Sequence, residues 1–500
     1  SHRLMPVCGT SSWPTDDRWA GRFLKRKRHN CSTFESGLVH SRPLRLALQL
    51  GLFQLSLGIL GVLILGLLNR LLIQDIQVPA VLAAVAVGGQ QLMGFTRAWF
   101  GHRSDRIPIS RLRRTPFIIS STVAIALLFG VACQLVLRLA TSMEASGGEL
   151  NALLMGLLIL VFVGIGTAIA AGGTAFSALI ADRTTEAERP RVLSVVWGMR
   201  LLGVLLGSVL VNQVFGSACA ADASRTAVLA GLERLSLVTP LLLLGLGVVS
   251  VFGVERRTTG LMLPAGSVPP DVPQRLALPQ LLLQLRTIPQ AGRFLGVLCL
   301  FTFSMFLNDA VLEPYGAAVF GMSVCATTSL NVLIALGFFA GLGLSGFWLI
   351  ERAGNIRTAR VGAVLAALAL LLMLWAGSGQ SIPLLRTAVG LFGLSLGVCM
   401  NACLTLMFSF VQPGRTGFLL GVWGAGYAYS CGLATISGGG LLTLLKAWNG
   451  GDLFAAYGGV FGLQMVCFLG AALMTRRLDV VGFRNTVKTR FADVMEMAVD

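Results

Sequence analysis

Apolar residues in this chain fall in long unbroken runs, not in stripes or alternation. Leu46–Leu68, Phe117–Leu137 and Leu153–Ile180 are three of them. Each exceeds the about 20 residues that a helix needs to cross a bilayer. In lipid every backbone N–H and C=O must find its partner inside the protein, so only helices and closed barrels span. Barrel strands would alternate apolar and polar residues, and these runs do not. The pattern predicts spans at 46–73, 79–100, 115–139, 151–181, 191–215, 235–254, 293–318, 326–350, 358–378, 382–410, 416–443 and 453–475. The expected fold class is an all-α membrane protein with twelve transmembrane helices.

Polar stretches divide these spans into domains. Residues 1–45 are basic, with "KRKRH" at 25–29, and are expected to form a disordered cytoplasmic tail. That tail would orient the first span or touch anionic headgroups. No apolar signal core is read ahead of the first span. A six-helix bundle over 46–254 is followed by a linker, 255–292, and a second bundle over 293–475. The linker holds "GSVPPDVPQ", whose prolines cannot continue a helix. Its "RLALPQLLLQLRTI" is apolar and basic by turns and is expected on the inner membrane surface. The tail 476–500 is amphipathic, with Phe483, Val487, Phe491, Val494 and Val499 at mostly helical spacing.

Composition agrees with a membrane protein: 55% of residues are hydrophobic and 12% charged, against about 25% charged in soluble domains. The net charge of +17 would admit nucleic acid as a partner, but its distribution does not. With the N-terminus in the cytoplasm, 31 of the 39 Lys and Arg fall in inner segments and 5 in outer ones. Arg70, Arg97 and Arg200 lie deeper within spans. This bias predicts that both termini are cytoplasmic. The ten cysteines form no CxxC pair, and most sit in or beside apolar runs as small hydrophobes. Neither a metal site nor a disulfide framework is expected. No nucleotide loop, metal cluster or nucleophile–base pair is visible, so an enzyme is not expected.

The two halves echo each other. "RPRVLSVVWG" (189–198) and "RTGFLLGVWG" (415–424) open corresponding spans. "GHRSDRIPISRLRR" (101–114) and "GFWLIERAGNIRTAR" (346–360) each offer a glycine, an acid, an adjacent arginine and further arginines. Parallel six-helix repeats are the build of major facilitator transporters. The first loop resembles their signature, Gly-x-x-x-Asp-Arg-x-Gly-Arg-Arg, through Gly101, Asp105, Arg106, Arg113 and Arg114, with the last two arginines late. In the second half the acid is Glu351, followed by Arg352, one residue farther from its glycine, Gly346. These residues are expected to form an inner gate. The glycine allows close helix approach, and the acids and arginines bridge helix ends. Topogenic charge alone is the alternative. Gly203/Gly207, Gly337/Gly341, Gly393/Gly397 and Gly417/Gly421 have GxxxG spacing, which suits close helix packing.

More specific stretches are "RAWFGHRSD" (97–105), "RRTPFI" (113–118), "GTAFSALIADRTTEAERPR" (173–191) and "NDAVLEPYGAAVFGMS" (308–323). With these the chain resembles the PucC-type, bacteriochlorophyll-delivery family of the major facilitator superfamily, from about residue 44 to the C-terminus. The first loop departs from the family's usual form at Arg111 and Leu112, and the acidic motif opens on Asn308. The resemblance implies a role in assembling light-harvesting or photosystem complexes. Members are thought to hand chlorophyll or bacteriochlorophyll to antenna polypeptides, or to chaperone those polypeptides. It also implies a photosynthetic membrane, thylakoid or bacterial, and partners among antenna polypeptides and pigment-synthesis enzymes. No tightly bound cofactor is implied, only transient pigment. A proton-coupled small-solute transporter remains a further alternative.

A chlorophyll Mg²⁺ takes N or O ligands. All four histidines lie outside the spans, so stable histidine ligation of pigment is not expected. Gln54, Asn69, Gln90, Gln91, Asn308, Asn331, Asn401 and Gln464 are oxygen donors within spans, available for weak ligation or for interhelical hydrogen bonds. Trp197 and Trp423 would stack on a pigment ring or pack between helices.

The acids of "FLNDAVLEPYG" (306–316) stand out in an apolar run. Asp309 and Glu313 are four apart and would share a helix face. At the helical rise, Asp309 lies about 24 Å, Glu313 about 30 Å and Arg70 about 36 Å from the inner ends of their spans. The expected outer gate pairs Arg70 with Glu313 or Asp309, and Pro314 marks a helix break. Proton coupling through Asp309, or a static structural pair, are the alternatives. Arg200 lies near mid-membrane and must face protein or water, which makes it a cavity candidate. Arg97 is expected to snorkel to the inner surface.

Overall fold

The computed structural model describes residues 41–69, 71–72, 76–106, 112–147, 149–215, 225–255, 290–308, 311–322, 324–411, 416–448, 452–480 and 482. Most of both tails and of the linker lies outside them. Among the described residues the protein is helical, and ten helices are long and apolar enough to cross a membrane. Leu127, Leu160, Leu241 and Ile436 are exposed on the outside of these helices. Apolar faces of that extent need lipid around them, and the protein is an integral membrane protein.

Helix α1 (Ser41–Gly61) passes straight into a π-helical segment, Val62–Leu68. Then come α2 (Ala80–Leu92), α3 (Thr96–Arg106), α4 (Thr115–Ala145), α5 (Ala152–Arg183), α6 (Arg189–Phe215) and α7 (Arg225–Val251). The second half holds α8 (Ala291–Phe306), α9 (Leu312–Phe320), α10 (Val324–Leu344), α11 (Ile350–Ala353), α12 (Asn355–Ser378), α13 (Ile382–Ser409), α14 (Thr416–Trp448) and α15 (Leu453–Met474). Local chemistry sets several starts. Asn151 accepts the N–H groups of Leu153 and Leu154 ahead of α5, and Asp452 accepts that of Ala455 ahead of α15. Pro116 and Pro383 occupy first turns, where a missing N–H leaves no bond unmade.

Two expected spans are interrupted. A single 3₁₀ turn, Met93–Phe95, separates α2 from α3. Helix α3 runs on to Arg106, so Gly101 and Asp105 are helical rather than in a loop. The other interruption separates α8 from α9. The N–H groups of Val311 and Leu312 both turn back to the Asn308 carbonyl, at 2.9 and 3.0 Å. Pro314 lies in the first turn of α9, after the break, not at it, because that turn is where a helix tolerates proline. Helix α8 ends at Phe306 and α9 begins at Leu312, and the expected sharing of a face by Asp309 and Glu313 falls outside the described residues.

Packing repeats between the halves. Helix α4 packs on α5 and α7, and α12 packs on α13 and α15. The halves meet where α14 lies on α3 and α5, and where α6 lies on α10 and α13. Glycines set the closest approaches. A Cβ on Gly393 would stand 2.8 Å from Ile334 Cα, and one on Gly337 2.8 Å from Leu394 N, both closer than atoms allow. Every residue from Ser395 to Phe410 is buried, so the last half of α13 has no lipid-facing side.

Candidate functional site

Asp105, near the end of α3, reaches across to the other half of the molecule. Its carboxylate accepts the N–H groups of Gly417 and Phe418, both at 2.9 Å. These belong to the first turn of α14, where donors are unpaired and the helix dipole favours an anion. A Cβ on Gly101 would collide with the Gly417 carbonyl, so glycine at both positions brings the two backbones together. Arg114 stands 2.7 Å from Asp105 and 3.1 Å from Asp182, and donates to Ser104 Oγ at 2.7 Å. Burial alone would lower the Arg114 pKa, but the Asp105 and Asp182 carboxylates outweigh it and raise it above its usual value.

Glu255 closes the same cluster. It accepts the N–H groups of Arg113 at 2.7 Å, Arg114 at 3.1 Å and Thr115 at 2.7 Å, capping α4. Partial burial pushes its carboxyl up, but these donors outweigh it and hold it below the ordinary carboxylate range. Arg113 takes part through its backbone, and its side chain is exposed. The Arg106 side chain lies outside the described residues. Asp182 and Glu255 were not anticipated. The available signal was the α4 start at "RRTP", whose free N–H groups require a nearby acceptor.

The second half builds a counterpart with different chemistry. Glu351 forms an ion pair with Arg191 at the start of α6, and Arg352 lies 4.3 Å over the Trp348 ring. Gly346 abuts α6: a Cβ there would collide with Ser194 Oγ and stand 2.7 Å from Pro190 O. The extra residue between Gly346 and Glu351 is absorbed by a π-helical turn, Ser345–Leu349. A π turn holds more residues than an α turn, so Glu351 still faces the opposite half. Next to this contact Asn401 of α13 donates 3.0 Å bonds to Ser194 Oγ and Ser345 Oγ, tying α6, α13 and the π turn together.

Mid-bundle, Arg200 of α6 donates to Gln54 Oε1 at 3.1 Å, and its guanidinium lies 5.5 Å from the Trp197 ring centroid. Arg97 of α3 lies between α5 and α14, beside Gly173 and Gly424. It does not reach for the surface as expected. Its Nη1 lies 3.5 Å from where a Cβ on Gly173 or Gly424 would stand, in a gap that those two glycines leave open.

Other anticipated residues are placed elsewhere. Trp423 is 1% exposed, donates to the Phe410 carbonyl and packs edge-on against Phe294. Asn401 is fully buried, and Asn308 is 3% exposed and accepts from Gln464 at 3.2 Å. Packing gives these three the interhelical contacts that were the alternative to a pigment role. Asn69 caps the π segment of α1, and Gln90 is half-buried in α2 against Gly166. Arg70, Asp309 and the Glu313 side chain lie outside the described residues.

Comparison with known proteins adds identity to this geometry. The chain is 30% identical over 85% of its length to the "Bacteriochlorophyll synthase 44.5 kDa chain" of Rhodobacter capsulatus, covering 93% of it. It is 28% identical to Protein PucC of the same organism, over 86% of this chain and 91% of that one. Among solved structures, a bacterial homologue of the iron transporter ferroportin aligns at a TM-score of 0.64 with 14% identity, over 87% of this chain and 98% of that one. The major facilitator proton:xylose symporter aligns at 0.59 with 15% identity, over 89% of this chain and 96% of that one. These structures share the fold with the chain. The PUCC protein family model matches residues 67–483, and the chain belongs to the PucC family.

Proposed function

We propose that this protein is an assembly factor of a photosynthetic membrane that delivers chlorophyll or bacteriochlorophyll to antenna or photosystem polypeptides. The observation that carries this reading is the family match over most of the chain, together with relatives whose names refer to PucC and to bacteriochlorophyll synthase. The protein acts without chemistry of its own, as a binding and release device. On this reading the interrupted pairs α2/α3 and α8/α9 each count as one crossing, giving twelve. The arginine-rich end, with both termini, faces the cytoplasm. The contacts of Asp105 and Glu351 then close the inner side. Pigment would sit between the halves near Arg200, Gln54 and Trp197, held weakly enough to be released.

The outer side would close through Arg70 and Glu313 or Asp309. Non-additive loss of assembly on Arg70→Ala with Glu313→Ala supports that pairing, and additive loss removes it. The function itself is tested by purifying the protein from pigment-synthesising cells in mild detergent and recording its absorption spectrum. A bound chlorophyll-type band, lost in Arg200→Ala, is expected. Antenna polypeptide co-purifying without pigment overturns delivery in favour of scaffolding. Uptake of a soluble solute into proteoliposomes overturns it in favour of ordinary transport.

A further inference from the structure

We infer that the arginine-rich ends of α12, α13 and α15 form a phosphate site, and that it takes the phosphate of an anionic lipid headgroup. A cavity of about 430 Å³ lies there, lined by Gly354, Asn355, Arg357 and Arg360 at the start of α12, Leu406 near the end of α13 and Val480 beyond α15. Among the described residues its lining holds two arginines and no acid. Arg360 Nε donates to Thr475 Oγ1 at 2.8 Å, which holds the side chain through a neutral partner and leaves the other end of the guanidinium for a ligand. Among the described residues neither Arg357 nor Arg360 forms an ion pair. Gly354 gives α12 no side-chain cap, so the first-turn N–H groups add donors and a favourable dipole to the two guanidiniums.

The first half of the molecule shows what such a place requires. Helices α4, α5 and α7 pack as α12, α13 and α15 do. There the chain supplies its own anions. Glu255, beyond α7, accepts the N–H groups of Arg113, Arg114 and Thr115 at the start of α4, and Asp182, near the end of α5, pairs with Arg114. In the second half Val480 stands beyond α15 and Leu406 near the end of α13, and neither carries charge. Asp479 does not replace Glu255, because it is exposed and accepts the N–H of Gly482 at 2.7 Å. The positive groups are repeated and the acids are not, so the anion has to come from outside the chain. Two guanidiniums and free helix N–H groups suit the several acceptor oxygens of a phosphate. The cavity lies at the ends of apolar helices, the depth at which a bilayer presents its headgroups. Leu406 and Val480 give it an apolar wall for the rest of a lipid.

The test uses the full-length protein, delipidated in neutral detergent, and follows its thermal midpoint. Phosphatidylglycerol added to the micelles is expected to raise the midpoint by about 2 °C or more, and phosphatidylcholine at the same mole fraction is not. In Arg357→Gln/Arg360→Gln the apparent affinity for phosphatidylglycerol should fall about tenfold or more, as expected for losing charged hydrogen bonds. Val480→Glu places an acid where Glu255 stands in the first half. It should raise the midpoint without lipid and remove most of the response to lipid. Folding is judged from the size-exclusion profile, and Arg357→Gln alone, at an exposed position, gives the same readout if the double variant is not recovered. An unmoved midpoint in the unaltered protein overturns the site. An undiminished response in the folded glutamine variant or in Val480→Glu places the lipid elsewhere and overturns it too. A rise with inorganic phosphate over chloride at equal ionic strength, and none with phosphatidylglycerol, upholds the arginine cavity and overturns lipid as its ligand.

Discussion

Asp105 and Gly417 are 312 positions apart in the chain, yet the carboxylate of one accepts the backbone N–H of the other at 2.9 Å. This contact joins the two halves at the arginine-rich end. Asp105 also pairs with Arg114, and both side chains are only 6% exposed. Removing one member of a buried pair leaves the other charge uncompensated, at about 3 kcal/mol or more. Asp105→Asn is expected to lower the thermal midpoint in detergent clearly and to raise labelling of cysteines introduced beside Gly101. An unchanged midpoint with unchanged labelling would show that the pair holds nothing together.

The counterpart pair should behave differently. Arg191 and Glu351 have side chains 39% and 41% exposed. Exposed pairs contribute about 0–1 kcal/mol because solvent screens them. Glu351→Gln is therefore expected to leave the midpoint almost in place. Gly346→Val should lower it strongly, because its Cβ would collide with Ser194. The reverse ranking would mean that charge, not close packing, makes the second contact.

Acid should loosen the start of α4. The Glu255 carboxyl is held below its usual 4.5 by the N–H groups of Thr115, Arg113 and Arg114, which outweigh burial. A group with a lowered folded pKa gives stability that is present above the unfolded value and lost as pH falls through the folded one. The midpoint measured from pH 7 downward should start to fall near 4.5 and continue below it. Glu255→Gln should flatten that part of the curve and lie lower at pH 7. Parallel curves for the two proteins would remove Glu255 from the acid response.

Asn401 links three elements through Ser194 and Ser345. Ser194 also donates to the Leu342 carbonyl, so it keeps a partner when Asn401 is lost. Asn401→Ala is expected to destabilise by about 1–3 kcal/mol, the range for a buried hydrogen-bonding group left unmatched. Asn401→Leu should be worse, because the close approach of α6 to the π turn leaves no room for a branched apolar side chain. A cycle with Ser194→Ala should show coupling of about 0.5 kcal/mol or more, and strict additivity would place the stabilisation elsewhere.

Much of the architecture was readable in one dimension. Unbroken apolar runs marked the helices, because lipid leaves backbone groups no other partner. The paired motifs around Gly101 and Gly346 marked the two places where the halves meet, since only glycine lets backbones come so close. The helix breaks were not readable. Met93–Phe95 and the turn at Leu307 sit inside stretches as apolar as any span, and hydropathy carries no record of which carbonyl an N–H will choose.

Side-chain fate divided in the same way. Charge type and spacing were enough to single out Asp105, Arg114 and Arg200 as costly groups that need partners. Which partners they met depended on helices distant in sequence: α14 for Asp105, α5 for Arg114 and α1 for Arg200. Trp197 and Trp423 look alike in their repeats, each followed by glycine. One lies beside Arg200 and the other is sealed against Phe294 and Phe410. Local sequence determined that these residues lie on helices in a membrane. Packing of the two halves decided which face of each helix turned to the centre and which was buried, because burial belongs to the assembled bundle and not to any single span.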